Sequence, residues 1–100
     1  LRHISKFKSK YSIRFYELLY QYKKIGKRSF EVSELRNLFE LKTKYSTFSD
    51  FRKFVLNRAI AEINKHSDLV IESKLIKKGR TITSIEFSIQ SKPQKELDLN

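Results

Sequence analysis

The side chains best suited to chemistry lie between Thr47 and His66, in the stretch TFSDFRKFVLNRAIAEINKH. At about 100° per residue, Lys53 and Asn57 fall on one polar side of a helix. The other polar members of this side are Ser49, Asp50 and Asn64. Lysine can donate to O6 and N7 of guanine, and asparagine can pair with adenine through two hydrogen bonds. The pattern predicts major-groove contact for Lys53 and Asn57; the alternative is an ordinary solvated helix face.

The opposite side of this helix is apolar and is expected to pack into the core. Its members are Phe48, Phe51, Val55, Leu56, Ala59, Ile60 and Ile63. Thr47 or Ser49 can cap the helix by accepting a backbone N–H bond, and Asp50 then lies in the first turn, where the helix dipole favours an anion. Arg52 falls near the apolar side, so its stem is expected along the core edge with its head in solvent or on a phosphate.

Positive charge is concentrated in patches. The formal net charge is +11, and most cations lie in residues 1–10, 23–28, 42–58 and 74–80. Such patches indicate a polyanionic partner, most commonly nucleic acid, although charge alone leaves an anionic membrane surface open. The cations expected on phosphates, which supply affinity without sequence information, are Lys42, Lys44, Lys74, Lys77, Lys78 and Arg80.

Catalytic and metal-binding patterns are poor. His3 and His66 are the only imidazoles, there is no cysteine, and no carboxylate pair has the spacing of an acid–base or metal site. Five tyrosines could supply a DNA-cleaving nucleophile, but that chemistry normally also needs a metal cluster. We therefore expect no enzymatic activity, no cofactor and no metal site. With no signal peptide and no apolar run of about 18 residues, one cytoplasmic domain is expected.

The elements that would position these residues follow in the order helix, short strand, helix, long helix and hairpin. Their predicted limits are Lys10 to about Ile25, Ser29–Val32, about Glu34–Leu41, Thr47–His66, and strands Leu69–Lys77 and Thr81–Gln90. Ser9 and Ser33 are the predicted caps of the first two helices, and Gly26 the stop of the first. Gly79 supplies the positive φ of a hairpin turn. This order is typical of an α+β winged helix-turn-helix, with the hairpin as the wing.

The first predicted helix has apolar residues on two sides. Its inward stripe is Tyr11, Phe15, Leu18, Leu19 and Tyr22, and on the other side lie Ile13, Tyr16 and Tyr20. One small core cannot bury both sides equally well. The second group is therefore either a set of ordinary surface aromatics or a docking face for another domain or a second subunit.

Several separated motifs resemble one family. They are YSIRFYELL from Tyr11, FSDFRK from Phe48, AIAEIN from Ala59, KKGR from Lys77 and IEF from Ile85. In this order, over residues 9–90, they resemble the second winged-helix domain of the iteron-binding plasmid replication initiators. In some relatives a third basic residue stands at the position of Phe54, which could instead meet a thymine methyl group or simply pack.

The resemblance implies a protein with two tandem winged-helix domains that binds direct repeats of a plasmid origin as a monomer and, in many members, represses its own gene as a dimer. The expected partners are thus double-stranded DNA, a second winged-helix domain of the same protein and a second copy. Residues 1–8 would be a linker or arm that continues from an absent N-terminal domain, 9–90 the winged-helix DNA-binding domain and 91–100 a flexible tail. Ser49, Arg52, Lys53 and Asn57 would face the major groove. The full predicted DNA-binding set is Lys42, Lys44, Thr47, Ser49, Asp50, Arg52, Lys53, Asn57, Lys74, Lys77, Lys78, Gly79 and Arg80.

Two alternatives remain beside a replication initiator. A winged helix can dock proteins, in which case changes at the Ile13, Tyr16 and Tyr20 face would matter more than changes at Arg52 or Lys53. A transcriptional repressor would use the same DNA-contacting residues. Tandem repeats beside an AT-rich segment would favour replication, and a lone palindrome over a promoter would favour repression.

Overall fold

In a computed structural model that describes residues 4–93, three helices pack with a three-stranded antiparallel sheet. After a short 3-10 turn (Ile4–Lys6), the elements are α1 (Lys10–Tyr20), β1 (Lys27–Glu31), α2 (Val32–Leu38), α3 (residues 48–66), β2 (Leu69–Lys78) and β3 (Thr81–Ser91). This mixed α+β architecture and its element order agree with the prediction. The predicted tail lies mostly outside the described residues.

Helix α1 begins as predicted and ends earlier. The Ser9 side chain accepts the Tyr11 backbone N–H at 3.1 Å, which confirms the cap. The helix ends at Tyr20 because the next N–H groups, from Tyr22 and Lys23, bond three residues back rather than four, which tightens the final turn. Gly26 stops this turn with φ +85°.

Helix α2 differs from the prediction at both ends. It begins at Val32, directly after β1, with Glu31 as a cap that makes no side-chain hydrogen bond. The predicted Ser33 cap is therefore wrong, because the strand passes into the helix without a connecting residue. The helix ends at Leu38, before Glu40 and Lys42 take positive φ values of 56° and 53°, which a right-handed helix cannot contain.

Helix α3 is continuous but not uniform: Phe48–Phe51 is α-helical, Arg52–Leu56 is π-helical and Asn57–His66 is α-helical. Thr47, rather than Ser49, caps it by accepting the Asp50 N–H at 3.2 Å. Buried residues recur at every fourth position, namely Phe51, Val55, Ala59 and Ile63.

The π-helical segment explains how that spacing stays buried. In a regular α-helix, steps of four residues drift by about 40° each, so Ile63 would be rotated by about 120° from Phe51. A π-helix, with hydrogen bonds spanning five residues, turns by a smaller angle per residue. The segment therefore rotates Ala59 and Ile63 part of the way back towards the core. The exposed side of α3 is thereby kept as one surface.

The sheet has the order β1, β3, β2, with β3 in the centre. Lys78 pairs with Thr81, so Gly79 and Arg80 form a two-residue turn, with Gly79 at φ +65° as predicted. The register shifts between Ile76, which pairs with Ser84, and Lys77, which pairs with Ile82. Thr83 is thus one extra residue in β3, a β-bulge near the end of the hairpin.

The core contradicts one predicted surface. Tyr16 is 1% exposed, since Phe7 packs edge-on against its ring with centroids 5.6 Å apart, and its hydroxyl donates to Asp68 at 2.7 Å. Burial, followed by the bond to Asp68, raises the pKa of Tyr16 far above its usual value. Ile13 is half-buried against the core, and only Tyr20 of the predicted docking face is exposed. Phe7, assigned to the linker, belongs to the packed unit.

Glu62 joins α3 to the start of α1. Its carboxylate accepts the backbone N–H groups of Lys8 (2.9 Å) and Ser9 (3.1 Å) and the hydroxyl of Ser12 (2.5 Å). Burial raises the pKa of Glu62, but these hydrogen bonds, with the nearby charge of Arg58, outweigh it and hold the pKa below its usual value. The side chain thus fixes the angle between the two helices.

Replacing Glu62 by glutamine is expected to destabilise the domain by about 1–3 kcal/mol, because charge-assisted hydrogen bonds to three donors are weakened. Since the folded pKa is lowered, the ionised group stabilises the fold above its unfolded pKa, and this contribution is lost as the pH falls through the folded pKa. Urea unfolding between about pH 6 and pH 3 should therefore show a smaller fall in stability for Glu62→Gln than for the original chain. Equal falls would contradict this role.

Candidate nucleic-acid interface

The exposed side of α3 meets the hairpin at a shallow open hollow. It is lined by Phe48, Ser49, Arg52, Lys53, Asn57 and Ile82. Ser49, Arg52, Lys53 and Asn57 are all exposed, and they are the four residues predicted to face a major groove. The other two members, Phe48, which was assigned to the core side of the helix, and Ile82 on β3, were not predicted from the sequence.

The Thr83 bulge brings Ile82 to this side. Ile85, Phe87 and Ile89 alternate on the buried face of β3, and strict alternation would place Ile82 on the other face. The extra residue reverses that parity, so Ile82 pairs with Lys77 and lines the hollow. The signal in the sequence was the spacing of three residues between Ile82 and Ile85, which breaks the alternation that Ile85, Phe87 and Ile89 follow.

The predicted cations of the hairpin separate into two groups. Lys77 lies opposite Ile82, and since cross-strand partners share a face, it lies on the α3 side. Lys78, Gly79 and Arg80 are exposed at the turn. Lys74 lies opposite Glu86, out of phase with the neighbouring pair of half-buried Leu75 and buried Ile85. The structure therefore places Lys74 on the outer face of the sheet, apart from the others.

The connection between α2 and α3, residues 39–47, borders the exposed side of α3 on its other edge. Lys42 and Lys44 are exposed there. The Tyr45 ring stacks on Phe54, with centroids 5.7 Å apart and planes 29° apart. Phe54 keeps 44% exposure, and the Lys53 Nζ lies 5.2 Å from its ring centre. Phe54 thus packs on one face and remains accessible on the other.

Other predicted members of the site have structural partners. Thr47 is engaged as the helix cap, and Asp50 donates its N–H to it. Asn64, predicted on the polar side of α3, donates to the Ile71 carbonyl at 3.0 Å and accepts the Ile71 N–H at 2.7 Å. Its amide acts as an extra backbone partner for β2, so the polar surface of α3 ends before Asn64.

Ion pairing distinguishes this surface from the cationic patch at residues 23–28. Over the described range, the ion pairs join Arg14 to Glu40, Lys23 to Asp68, Lys27 to Glu86 and Arg28 to Glu34. The patch at residues 23–28 is thus largely neutralised. None of these pairs involves the cations of the connection, the α3 surface or the hairpin turn. The positive charges of the connection, the α3 surface and the hairpin turn repel one another and remain available to an external anion.

Within residues 4–93, no three His, Cys, Asp or Glu side chains lie together as potential metal ligands. The helices in the same range are too short or too polar to cross a bilayer.

Comparison with known proteins identifies the family of this chain. The family model described as initiator Rep protein, second winged-helix domain, matches residues 31–89. The chain belongs to the initiator Rep family. The match runs from the end of β1 through α2 and α3 into the hairpin, and it confirms the resemblance of the separated sequence motifs.

A curated relative of this Rep domain is a replication initiation protein of Escherichia coli. It is 30% identical over 104 residues, which cover 97% of this chain and 32% of the relative. The chain thus spans about a third of the length of that relative. The residues that line the hollow and both flanking cationic segments lie within the range matched by the family model.

Proposed function

We propose that this Rep domain binds double-stranded DNA at the direct repeats of a plasmid origin, without catalysis, as part of a replication initiator. Helices α2 and α3 act as a helix-turn-helix, α3 enters the major groove, and the hairpin is the wing. The observation that supports this most strongly is the hollow in which Ile82 meets Ser49, Arg52, Lys53 and Asn57. It places the hairpin and the exposed side of α3 on one side of the molecule.

The geometry also suggests a division of roles. Arg52 and Phe54 are two positions apart and lie at opposite edges of the exposed side of α3, which leaves Lys53 and Asn57 towards the middle as readers of base edges. Lys42 and Lys44 on one flank, and Lys77, Lys78 and Arg80 on the other, are suited to phosphates. Contacts on both flanks would fix the register of α3 in the groove.

The hairpin provides a matched pair for testing these roles. With about four to six phosphate contacts, log K should fall with log salt with a slope near −0.9 per contact. Lys77→Ala should lower the magnitude of the slope by about one contact, and Lys74→Ala by much less, although both remove one charge from the same strand. Anisotropy titrations of labelled duplex at several salt concentrations measure both slopes. Indistinguishable slopes for the two variants would contradict the assignment of Lys77.

A footprint on the origin of the parent plasmid tests the function itself. Protection of tandem repeats beside an AT-rich segment supports initiation, whereas protection of a lone palindrome over a promoter supports repression by the same surface. The protein-docking alternative has lost its main basis, because Tyr16 is buried and Ile13 is half-buried. Absence of protection anywhere on the origin would reject the DNA-binding proposal.

A further inference from the structure

Arg36 makes an unusual set of contacts at the back of the α2–α3 connection. Its guanidinium donates from Nη1 to the Tyr45 carbonyl at 2.6 Å, and from Nη2 to the carbonyls of Lys44 at 2.7 Å and Lys42 at 3.3 Å. The guanidinium carbon lies 5.5 Å from the ring centre of the buried Phe51. One half-buried side chain of α2 thus donates to three backbone carbonyls of the connection.

The connection needs such support because its backbone is strained. Glu40, Lys42 and Tyr45 have positive φ values of 56°, 53° and 53°, and residues 39–47 include no glycine. A non-glycine residue in this region is strained and persists only where its surroundings hold it. Backbone bonds from Leu41 to Arg36 and from Lys44 to Leu41 hold one part of the segment. Arg36 holds the rest.

Arginine is suited to this task because its planar fork presents five donors in a fixed geometry, whereas lysine offers a single flexible ammonium group. Here the guanidinium is directed into the connection, so its donors are engaged with backbone carbonyls rather than with an external anion. The side chains of Lys42 and Lys44, on the same segment, are exposed. The Tyr45 ring, whose carbonyl Arg36 also holds, supports Phe54.

We propose that Arg36 is a positioning residue of the DNA interface, which holds the connection so that Lys42 and Lys44 lie beside α3 and reach phosphates on that flank. The inference rests on the proposed function. Arg36 itself makes no phosphate contact. Its contribution to binding therefore passes through Lys42 and Lys44, and it should vanish when those two side chains are absent.

A double-mutant cycle tests this dependence. Arg36→Ala should lower the magnitude of the salt slope by about one to two contacts, as should the pair Lys42→Ala and Lys44→Ala. The triple variant should show no further loss. Arg36→Lys keeps the charge and the stem over Phe51 but loses the fork, and it should behave like Arg36→Ala. Additive losses in the triple variant, or a slope fully restored by lysine, would overturn the proposal.

Two further measurements separate this inference from the proposed function and from general destabilisation. In the absence of DNA, the amides of Leu41 and Lys44 should exchange their hydrogens faster in Arg36→Lys than in the original chain, while the amides of β3 should be unchanged. Unchanged exchange at Leu41 and Lys44 would overturn the inference even if the chain binds DNA. Lys24→Ala is the charge control, because Lys24 lies near Gly26, whose carbonyl bonds Ile89 far from the hairpin turn. The salt slope of Lys24→Ala should stay close to that of the original chain. A loss of slope as large as that of Arg36→Ala would mean that the Arg36 effect comes only from the change in net charge, and it would overturn the inference.

Discussion

Lys53→Ala is expected to weaken binding to the cognate repeat by about 1–3 kcal/mol, or roughly 5-fold to 150-fold, and to leave binding to random duplex almost unchanged. Lys53 is exposed in the middle of the α3 surface and lines the hollow beside Ser49 and Asn57. It makes no ion pair within the described residues. The alanine variant would therefore lose the base contact, and no internal ion pair of Lys53 would be broken in either state to offset that loss.

The comparison needs both duplexes and a control on the same helix. Lys65→Ala removes one exposed charge from the last turn of α3, beyond the end of the predicted contact surface, and it should change neither binding constant by more than a small factor. Binding of each variant to specific and random duplex at one fixed salt concentration gives the specificity ratio. Equal losses on both duplexes for Lys53→Ala would mean that this lysine contacts phosphate and reads no base.

The largest expected effect on stability is that of Phe15→Ala, about 3–5 kcal/mol. Phe15 is fully buried, and its ring packs against Phe87 on the central strand at 4.9 Å and against Phe39 at 5.5 Å. It thus joins α1 to the sheet and to the start of the α2–α3 connection. Domains of this size are stable by only about 5–15 kcal/mol, so the variant should lose a large part of its total stability.

Tyr20→Ala provides the matched control, since Tyr20 is an aromatic residue on the same helix that is 36% exposed. Urea unfolding followed by circular dichroism should show a loss for Tyr20→Ala well below that for Phe15→Ala. A similar loss for both variants would mean that Tyr20 is covered in solution, which would contradict its exposure in this fold.

Sequence patterns predicted the parts of this fold that depend on local chemistry. The Ser9 cap, the Thr47 cap as one of two candidates, the stop at Gly26, the positive φ of Gly79 and the two hairpin strands all follow from nearby residues. The family resemblance then named the four residues of α3 that the structure gathers in one hollow. These features need only short-range information, namely which residue can cap, turn or alternate.

The features that were missed depend on contacts between distant segments. Tyr16 is buried because Phe7 and Asp68 come from outside α1, and no helical wheel contains them. The roles of Glu62 and Asn64 are likewise hydrogen bonds to other elements. The left-handed residues of the connection carry no glycine signal, since Arg36 supports a conformation that their own types disfavour.

Site-directed cleavage tests most directly whether the exposed side of α3 and the hairpin turn contact one duplex together. The chain has no cysteine, so Ala61→Cys, Lys78→Cys and Lys24→Cys each give a unique attachment point for a DNA-cleaving iron chelate. Cuts from Ala61→Cys and Lys78→Cys are predicted on the same repeat, within about one helical turn of each other, with none from Lys24→Cys. Cuts from only one of the first two, or from Lys24→Cys as strongly as from Lys78→Cys, would contradict the account.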